Sequence, residues 1–394
     1  MSEIKVNSIK GVGASNAAIT INNTDGTCTA NITNNLSNRN LIINGAFLVA
    51  QRSSDPVNDD SYRTVDRFQL LYGGTDNHPT QAQHALTSSD TGPYEKGFRF
   101  SYHITNGDQT SGAGSGDYMN IRHRLESRNI AQSGWNYTSS SSFVTLSFWV
   151  KSSVSQNFYG YLYAAQGTPQ LYTFETGILT ANTWTKVTKT ISGNSNLVFD
   201  SSNGVGLDIV IAPFWGTDYT DSGVSLNSWG AYASGTRTPD YTNTWYTTND
   251  ATFEITGVQL EVGSVATDFE HRSYADTFLK CQRYYHVLLD SRIHESTYWH
   301  PGYYYIAGMI QVIGRFAPEM RATPSATITS GTDYYRFYRN GSYDGVDDFL
   351  LAHSSKNSYR LYNSTDASGT AGQSGAFYLH TSGVFKLIAF DAEL

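Results

Sequence analysis

Trp215, Tyr219, Trp229 and Tyr241 lie in one stretch, 213–250, which also holds Tyr232, Trp245 and Tyr246. Flat aromatic faces can stack on the apolar faces of sugar rings while neighbouring Asn, Ser and Asp side chains take the hydroxyls. They can equally fill a core, under the loop or against a neighbouring subunit, because large aromatics usually serve burial. Loops beyond about 12–15 residues are uncommon unless functional, which keeps the sugar platform in view. A second aromatic set, Tyr298, Trp299, His300, Tyr303, Tyr335 and Tyr338, is a candidate for an exposed distal contact surface. Packing within an assembly is the alternative reading of that set.

Catalytic spacing is harder to find. Asp59-Asp60 and Asp347-Asp348 are adjacent carboxylates, but neighbours on a strand point to opposite faces and make no dyad. His294-Glu295 is not followed by a second histidine at the metalloprotease spacing. The sequence has no Gly-x-Ser-x-Gly elbow, no phosphate loop with its Lys and no Cys/His zinc spacing. No catalytic residue is expected. Asn58-Asp59-Asp60 offers the hard oxygens calcium takes, or forms a solvated turn; no other cofactor is expected.

These groups need a scaffold, and the composition says which kind. Only 15% of the 394 residues are charged, against roughly 25% in an ordinary soluble protein. Aromatics reach 14%, with 28 tyrosines, the profile of many strands joined by polar turns. A net charge of −8 argues against nucleic acid as a partner. The local basic cluster Arg122, His123, Arg124 and Arg128 reads as a solvated outer face, opposite Met119, Ile121 and Leu125. Cys28 and Cys281 are too few for a disulfide framework and read as reduced thiols. MSEIKVNSIK lacks the apolar run of a secretory signal. Leu41–Ala50 is far short of the ~20 apolar residues of a membrane span, so no membrane embedding is expected.

The strand signals are clean. Phe98, Phe100, Tyr102 and Ile104 alternate with polar neighbours. So do Val144, Leu146, Phe148 and Val150, and Val205, Leu207, Ile209 and Ile211. In Thr252–Val262 the alternation slips by one residue at Thr256-Gly257, which predicts a β-bulge there. Ser273-Tyr-Ala-Asp276 is a helix start, with Tyr274, Phe278, Cys281 and Tyr285 on one face. The pattern divides the chain into an N-terminal arm (1–38), a β-sandwich (39–272), a linking helix (273–285) and a small β head domain (286–394). In the arm, Ala18–Asn22 reads as one strand with a turn at Asp25-Gly26. Strands in the head are expected at 303–307, 309–316, 334–338, 358–362 and 384–390. They look short for that length, so much of its burial is expected from sister chains.

Three pieces in order resemble tail-fibre proteins of tailed bacteriophages, especially phages of marine bacteria. GVQLEVGSVATDFEHR followed by CQRYY is similar to the end of their jelly-roll module, with Asp268 where that family usually has proline. Asn40–Ala46 with Gln51-Arg52 resembles the module start, and Leu146–Lys151 its central strand. The segment between Pro318 and Pro324 resembles part of their carboxy-terminal region. The resemblance implies an all-β antiparallel jelly roll like those of carbohydrate-binding modules. It also implies a homotrimeric virion protein, assembled in the host cytoplasm and anchored to other virion proteins by its arm. Such a fibre attaches at the host surface through a glycan or other receptor. A capsid or baseplate spike without a receptor, and a tailspike glycan depolymerase, are the rival readings.

Overall fold

Alternating apolar residues make each long strand amphipathic, and two antiparallel sheets bury those faces against each other. The computed structural model describes residues 6, 8–9, 19–21, 24, 28–30, 38–293, 297–379 and 384–394. One sheet has six strands in the order Trp229–Ala231, Gln170–Ile178, Asn157–Ala164, Val205–Trp215, Tyr118–Glu126 and Phe68–Gly73. The other has five, ordered Thr185–Ser192, Phe143–Ser152, Thr252–Val262, Phe100–Thr105 and Thr80–Ala85. Tyr102, Ile104, Leu146, Phe148, Leu207, Ile209 and Phe253 meet in the core between them. The fold is therefore an antiparallel jelly-roll sandwich. Among the described residues no helix is long and apolar enough to cross a membrane.

The expected bulge is present. Thr252–Val262 pairs with Phe143–Ser152 in one register up to Thr256↔Trp149 and resumes at Gln259↔Ser147. Gly257 sits at φ +62, and a Cβ there would stand 2.6 Å from the Phe98 ring. The bulge lets both apolar sets, Phe253 with Ile255 and Val258 with Leu260, reach one core. The module start docks beside it. Asn40 accepts from the Leu260 N–H (3.1 Å) and donates to the Val258 carbonyl (3.2 Å). A Cβ on Gly45 would fall 2.0 Å from that same carbonyl. Two stretches more than 200 residues apart in sequence thus close one corner of the sandwich.

Ser273 caps the helix Tyr274–Gln282 through the Asp276 N–H, worth about 1 kcal/mol. Its buried side chains are Thr277 and Cys281. Tyr274 is 59% exposed and stacks on Phe278, so the expected apolar face is only half right. Arg283 has left the helix and a strand starts at Tyr285. A further short helix, Ser127–Ala131, has no sequence signal. Of the arm, a strand at Ile19–Ile21 is described, whereas the Asp25-Gly26 turn and the Cys28 side chain lie outside the described residues.

The head carries its own core, contrary to the expectation that sister chains supply much of its burial. Ser342–Val346, Tyr335–Arg339, Ser374–Leu379, Tyr298–Ile306, Met309–Arg315, Ser358–Asn363 and Leu350–Ala352 form a seven-stranded sheet in that order. A three-stranded sheet of Tyr285–Asp290, Leu387–Asp391 and Ser325–Ile328 packs on it. Tyr304, Val312, Tyr335, Phe337, Leu361, Phe377, Ile388 and Phe390 are buried between the two. The strands missed in the sequence, such as Ser374–Leu379 and Ser342–Val346, are what complete this interior.

The basic cluster is not a solvated face. His123 is 1% exposed, in phase with Met119, Ile121 and Leu125, and burial pushes its imidazole well below its usual range. Arg122 and Arg124 lie 3.9 and 3.5 Å from the Asp208 carboxylate. Arg124 also donates to the Leu394 carbonyl (2.6 Å), so the head covers this side. Around it runs a junction. Arg67, wholly buried, pairs with Glu393, donates to the Arg124 carbonyl and lies 3.4 Å over the Tyr284 ring. Arg52 lies 3.6 Å over Tyr285 and bonds Asp391 (3.0 Å). Arg321 bonds the Ala392 carbonyl (2.7 Å) and the Asn203 carbonyl (3.1 Å). Buried Glu126 takes both arms of Arg283 (2.8 and 2.9 Å) and the Tyr284 hydroxyl (2.6 Å).

Two predictions follow from this architecture. Gly257→Ala places a side chain at a left-handed φ and against Phe98, and should cost about 1–3 kcal/mol, read as a lower denaturant midpoint. Burial alone would raise the Glu126 carboxyl, but the bonds from Arg283 and Tyr284 outweigh it and hold its pKa below the ordinary 4.5. Its contribution is then fully present above pH 4.5 and lost as pH falls through the lower folded value. Glu126→Ala should remove about 2–3 kcal/mol at pH 7 and flatten the acid limb of the stability–pH curve below that point.

Candidate functional site

Part of the outer face of the six-stranded sheet is apolar, with Tyr161, Leu171, Val210, Ala212 and Trp215 buried in a second core. The 213–250 excursion folds over it. Tyr118 stacks on Trp215 at 5.3 Å, and Tyr219 meets both rings. Arg237 closes the top, with its guanidinium 4.7 Å over Trp215 and 4.8 Å over Tyr219. Trp215 is 4% exposed, so it offers no face to a sugar. Tyr241 is half-buried, and its hydroxyl donates to the Ala212 carbonyl (3.0 Å) and accepts from the Tyr159 N–H (3.2 Å). Trp245 and Tyr246 pass through to the main core. The platform expected from this stretch is thus largely a packed cover. A long loop laid on an apolar sheet must bring its own burial, and aromatics bring most per residue.

Two members of the first set keep an open side. Half-buried Trp229 donates to the Ser192 carbonyl (2.7 Å) and borders a cleft of about 440 Å³ with Asp221, Ser225, Ser228 and Thr236. Tyr219 is half-buried at the edge of the Arg237 stack.

The head supplies the exposed aromatic surface, though not through every residue the sequence singled out. Tyr335 is fully buried and its hydroxyl bonds the Thr329 carbonyl (2.8 Å). Trp299 packs inward on Phe377 (5.3 Å) and Phe349 (5.9 Å). Strand parity explains Tyr335, which pairs with buried Leu379, whereas Trp299 lies at the register shift between Tyr298 and His300 and turns inward there. Outward stand Tyr298, Tyr338, Tyr343 and Tyr378, one on each of four adjacent strands. Tyr298 lies 5.1 Å from Tyr378 and 5.9 Å from Tyr338, and Tyr338 lies 5.4 Å from both Tyr343 and Tyr378. Arg336 lies 4.3 Å over Tyr343. Tyr298 is 62% and Tyr343 43% exposed. Further along the same face, half-buried Tyr303 bonds Gln311, which accepts from Arg360 (2.7 Å) beside Tyr362. Tyr343, Tyr378 and Arg336 were missed. Their signal was the alternation of Gly375 and Phe377 with Ala376 and Tyr378, which a glycine-rich flank obscures.

The carboxylate pairs do structural work. Asp347 accepts from the Asp333 N–H (2.8 Å), and Asp348 holds Asn363 (3.2 Å). Asp59 faces Arg63 at 3.4 Å, and the Asn58 and Asp59 carbonyls accept from Tyr72 and Gln81. Among the described residues no third His, Cys, Asp or Glu joins Asp59 and Asp60 in a metal-sized group. His294-Glu295 lies outside the described residues.

No family model and no curated protein matches the sequence. Solved structures similar to it include the enzymatically active domain of tailspike protein 4 of bacteriophage CBA120, at 11% identity and TM-score 0.32, over 57% of this chain and 22% of that one. The family 11 carbohydrate-binding module from Clostridium thermocellum, in complex with a mixed-linked tetrasaccharide, is 9% identical at TM-score 0.25, over 55% and 99%. The tripod from the baseplate of bacteriophage Tuc2009 is 12% identical at TM-score 0.26, over 72% and 82%. At such identities and scores these likenesses carry no functional argument.

Removing the cover's clasp should expose its role. Arg237→Ala forfeits stacking worth about 1–2 kcal/mol. It should speed amide hydrogen exchange across 216–245 while leaving the paired core of Val205–Trp215 protected, as mass spectrometry would report.

Proposed function

We propose that this chain is a homotrimeric tail-fibre protein of a tailed bacteriophage, and that the tyrosine face of its head holds a glycan on the host surface. The observation that carries the reading is the ladder of exposed Tyr298 and Tyr343 with half-buried Tyr338 and Tyr378, on the outer face of a sheet that already has a complete interior behind it. A folded head has no need of these rings for its own stability, and an exposed contiguous aromatic patch marks an interaction surface. Tyrosine suits a wet one: its ring covers the apolar face of a sugar and its hydroxyl stays hydrated. Arg336 and Arg360 add donors for hydroxyls or acidic groups. The phage assignment rests on the ordered sequence resemblance, which runs through the module start, the central strand and the closing segment. In this reading the N-terminal arm, mostly outside the described residues, joins other virion proteins. Trp229, on the wall of the 440 Å³ cleft, is a second, smaller contact point, and half-buried Tyr219 is another candidate contact. Three shallow sites per fibre, and several fibres per particle, give firm attachment through avidity.

Purified full chain should elute at the mass of three copies in light scattering. It should bind immobilised bacterial surface polysaccharides and block phage adsorption to the host. Tyr298→Ala with Tyr338→Ala should weaken that binding at least about ten-fold, at unchanged melting temperature, since hot-spot aromatics are worth about 2 kcal/mol or more each. A chain that neither binds nor blocks is a spike without a receptor role. New reducing ends on incubation with the glycan would make it a depolymerase.

A further inference from the structure

On the outer face of the five-stranded sheet three strands bring two imidazoles to one buried carboxylate. Glu254, 2% exposed, pairs across to His103 on one side and Lys151 on the other, and His84 comes from the edge strand beyond. His84 Nδ1 lies 3.1 Å from Glu254 Oε2 and His103 Nδ1 lies 3.4 Å from Oε1. One donor atom from each of the three residues lies within 4.8 Å of the other two. We propose that His84, His103 and Glu254 form a binding site for a divalent transition-metal ion, zinc or a metal of similar preference.

The edge of a tetrahedron with ~2.0 Å metal–ligand bonds is ~3.3 Å, and each imidazole stands near that distance from one carboxylate oxygen, His84 from Oε2 and His103 from Oε1. His103 Nε2 lies 3.1 Å from the Thr105 hydroxyl, which orients the ring with Nδ1 toward the carboxylate, as outer partners orient metal-binding histidines. That Nδ1 is buried and makes no hydrogen bond of acceptable geometry, an orphan that a metal ion would satisfy. Lys151 bridges Asp90 (3.0 Å) and Glu254 (2.9 Å), so with neutral imidazoles the group carries one excess negative charge and favours a cation. Two nitrogens and one oxygen select zinc, cobalt, nickel or copper over calcium, which takes oxygen alone. The Ser101 hydroxyl bonds Oε2 (2.7 Å) and steadies the carboxylate. The His84 side chain is 49% exposed, so it has room to close on the ion.

The test uses full chain without a histidine tag, stripped with chelator and titrated with cobalt(II). One equivalent per chain should bind with the visible bands of a low-coordinate cobalt ion, and zinc should displace it. His84→Asn and His103→Gln should each abolish those bands, and exposed His78→Asn should leave them intact. Each variant should still melt cooperatively in chelator, and only the parent and His78→Asn should gain melting temperature when zinc is added. Absence of the bands in the parent overturns the site. So does their survival in either ligand variant, which would leave the trio a proton-mediated clamp on Glu254.

Discussion

Arg67 is the constraint on which the rest of the architecture depends. A guanidinium taken wholly out of water is expensive unless its charge and its donors are met. Here the jelly roll supplies the Arg124 carbonyl, the segment after the linking helix supplies the Tyr284 face, and the last residues of the head supply Glu393. No single sheet can satisfy this group. Folding the cation inward therefore requires both cores, and the helix between them, to take one relative position.

That dependence explains why polar residues crowd the junction when the chain elsewhere is poor in charge. Arg52, Arg124, Arg283 and Arg321 each reach from one body to the other, and several end on backbone carbonyls near the final residues. A carbonyl accepts only at a defined position, so the bonds to the Ala392, Glu393 and Leu394 carbonyls fix the place of the final residues as well as orientation. Hydrophobic burial would hold the bodies together with less directional control. The consequence lies at the far side: the head sheet presents its tyrosine face at a fixed angle to the sandwich.

The sandwich was legible because its signal is local. A strand two-sided in character writes its burial every second residue, and the slip at Thr256-Gly257 could be read as a bulge for the same reason. The head was less legible. Tyr335 and Tyr338 look alike in sequence, yet strand parity sends one into the core and the other to the surface. The 213–250 stretch failed differently: burial of Trp215 depends on Arg237 folding back across it, a contact no periodicity encodes. The arginines of the basic cluster looked solvated for want of any sign that the head lies over them. His84, His103 and Glu254 were invisible because their neighbourhood is made by pairing strands, with Glu254 some 170 residues from His84.

The residues through which the resemblance was legible turn out to be those that build corners and joints. Asn40 and Gly45 lock the module start to the bulged strand, and Arg52, Arg283 and Tyr284 sit in the junction. None of them faces solvent as a ligand would need. Such positions answer to the geometry of their own chain, so their residue types carry the fold. The outward face of the head answers only to what it meets, and within the chain it is bound by parity and little else. Under the proposed function, such a surface could change its ligand without disturbing Arg67 or the cores behind it. That separation of duties is why the sequence speaks plainly about the scaffold and says so little about what the scaffold holds.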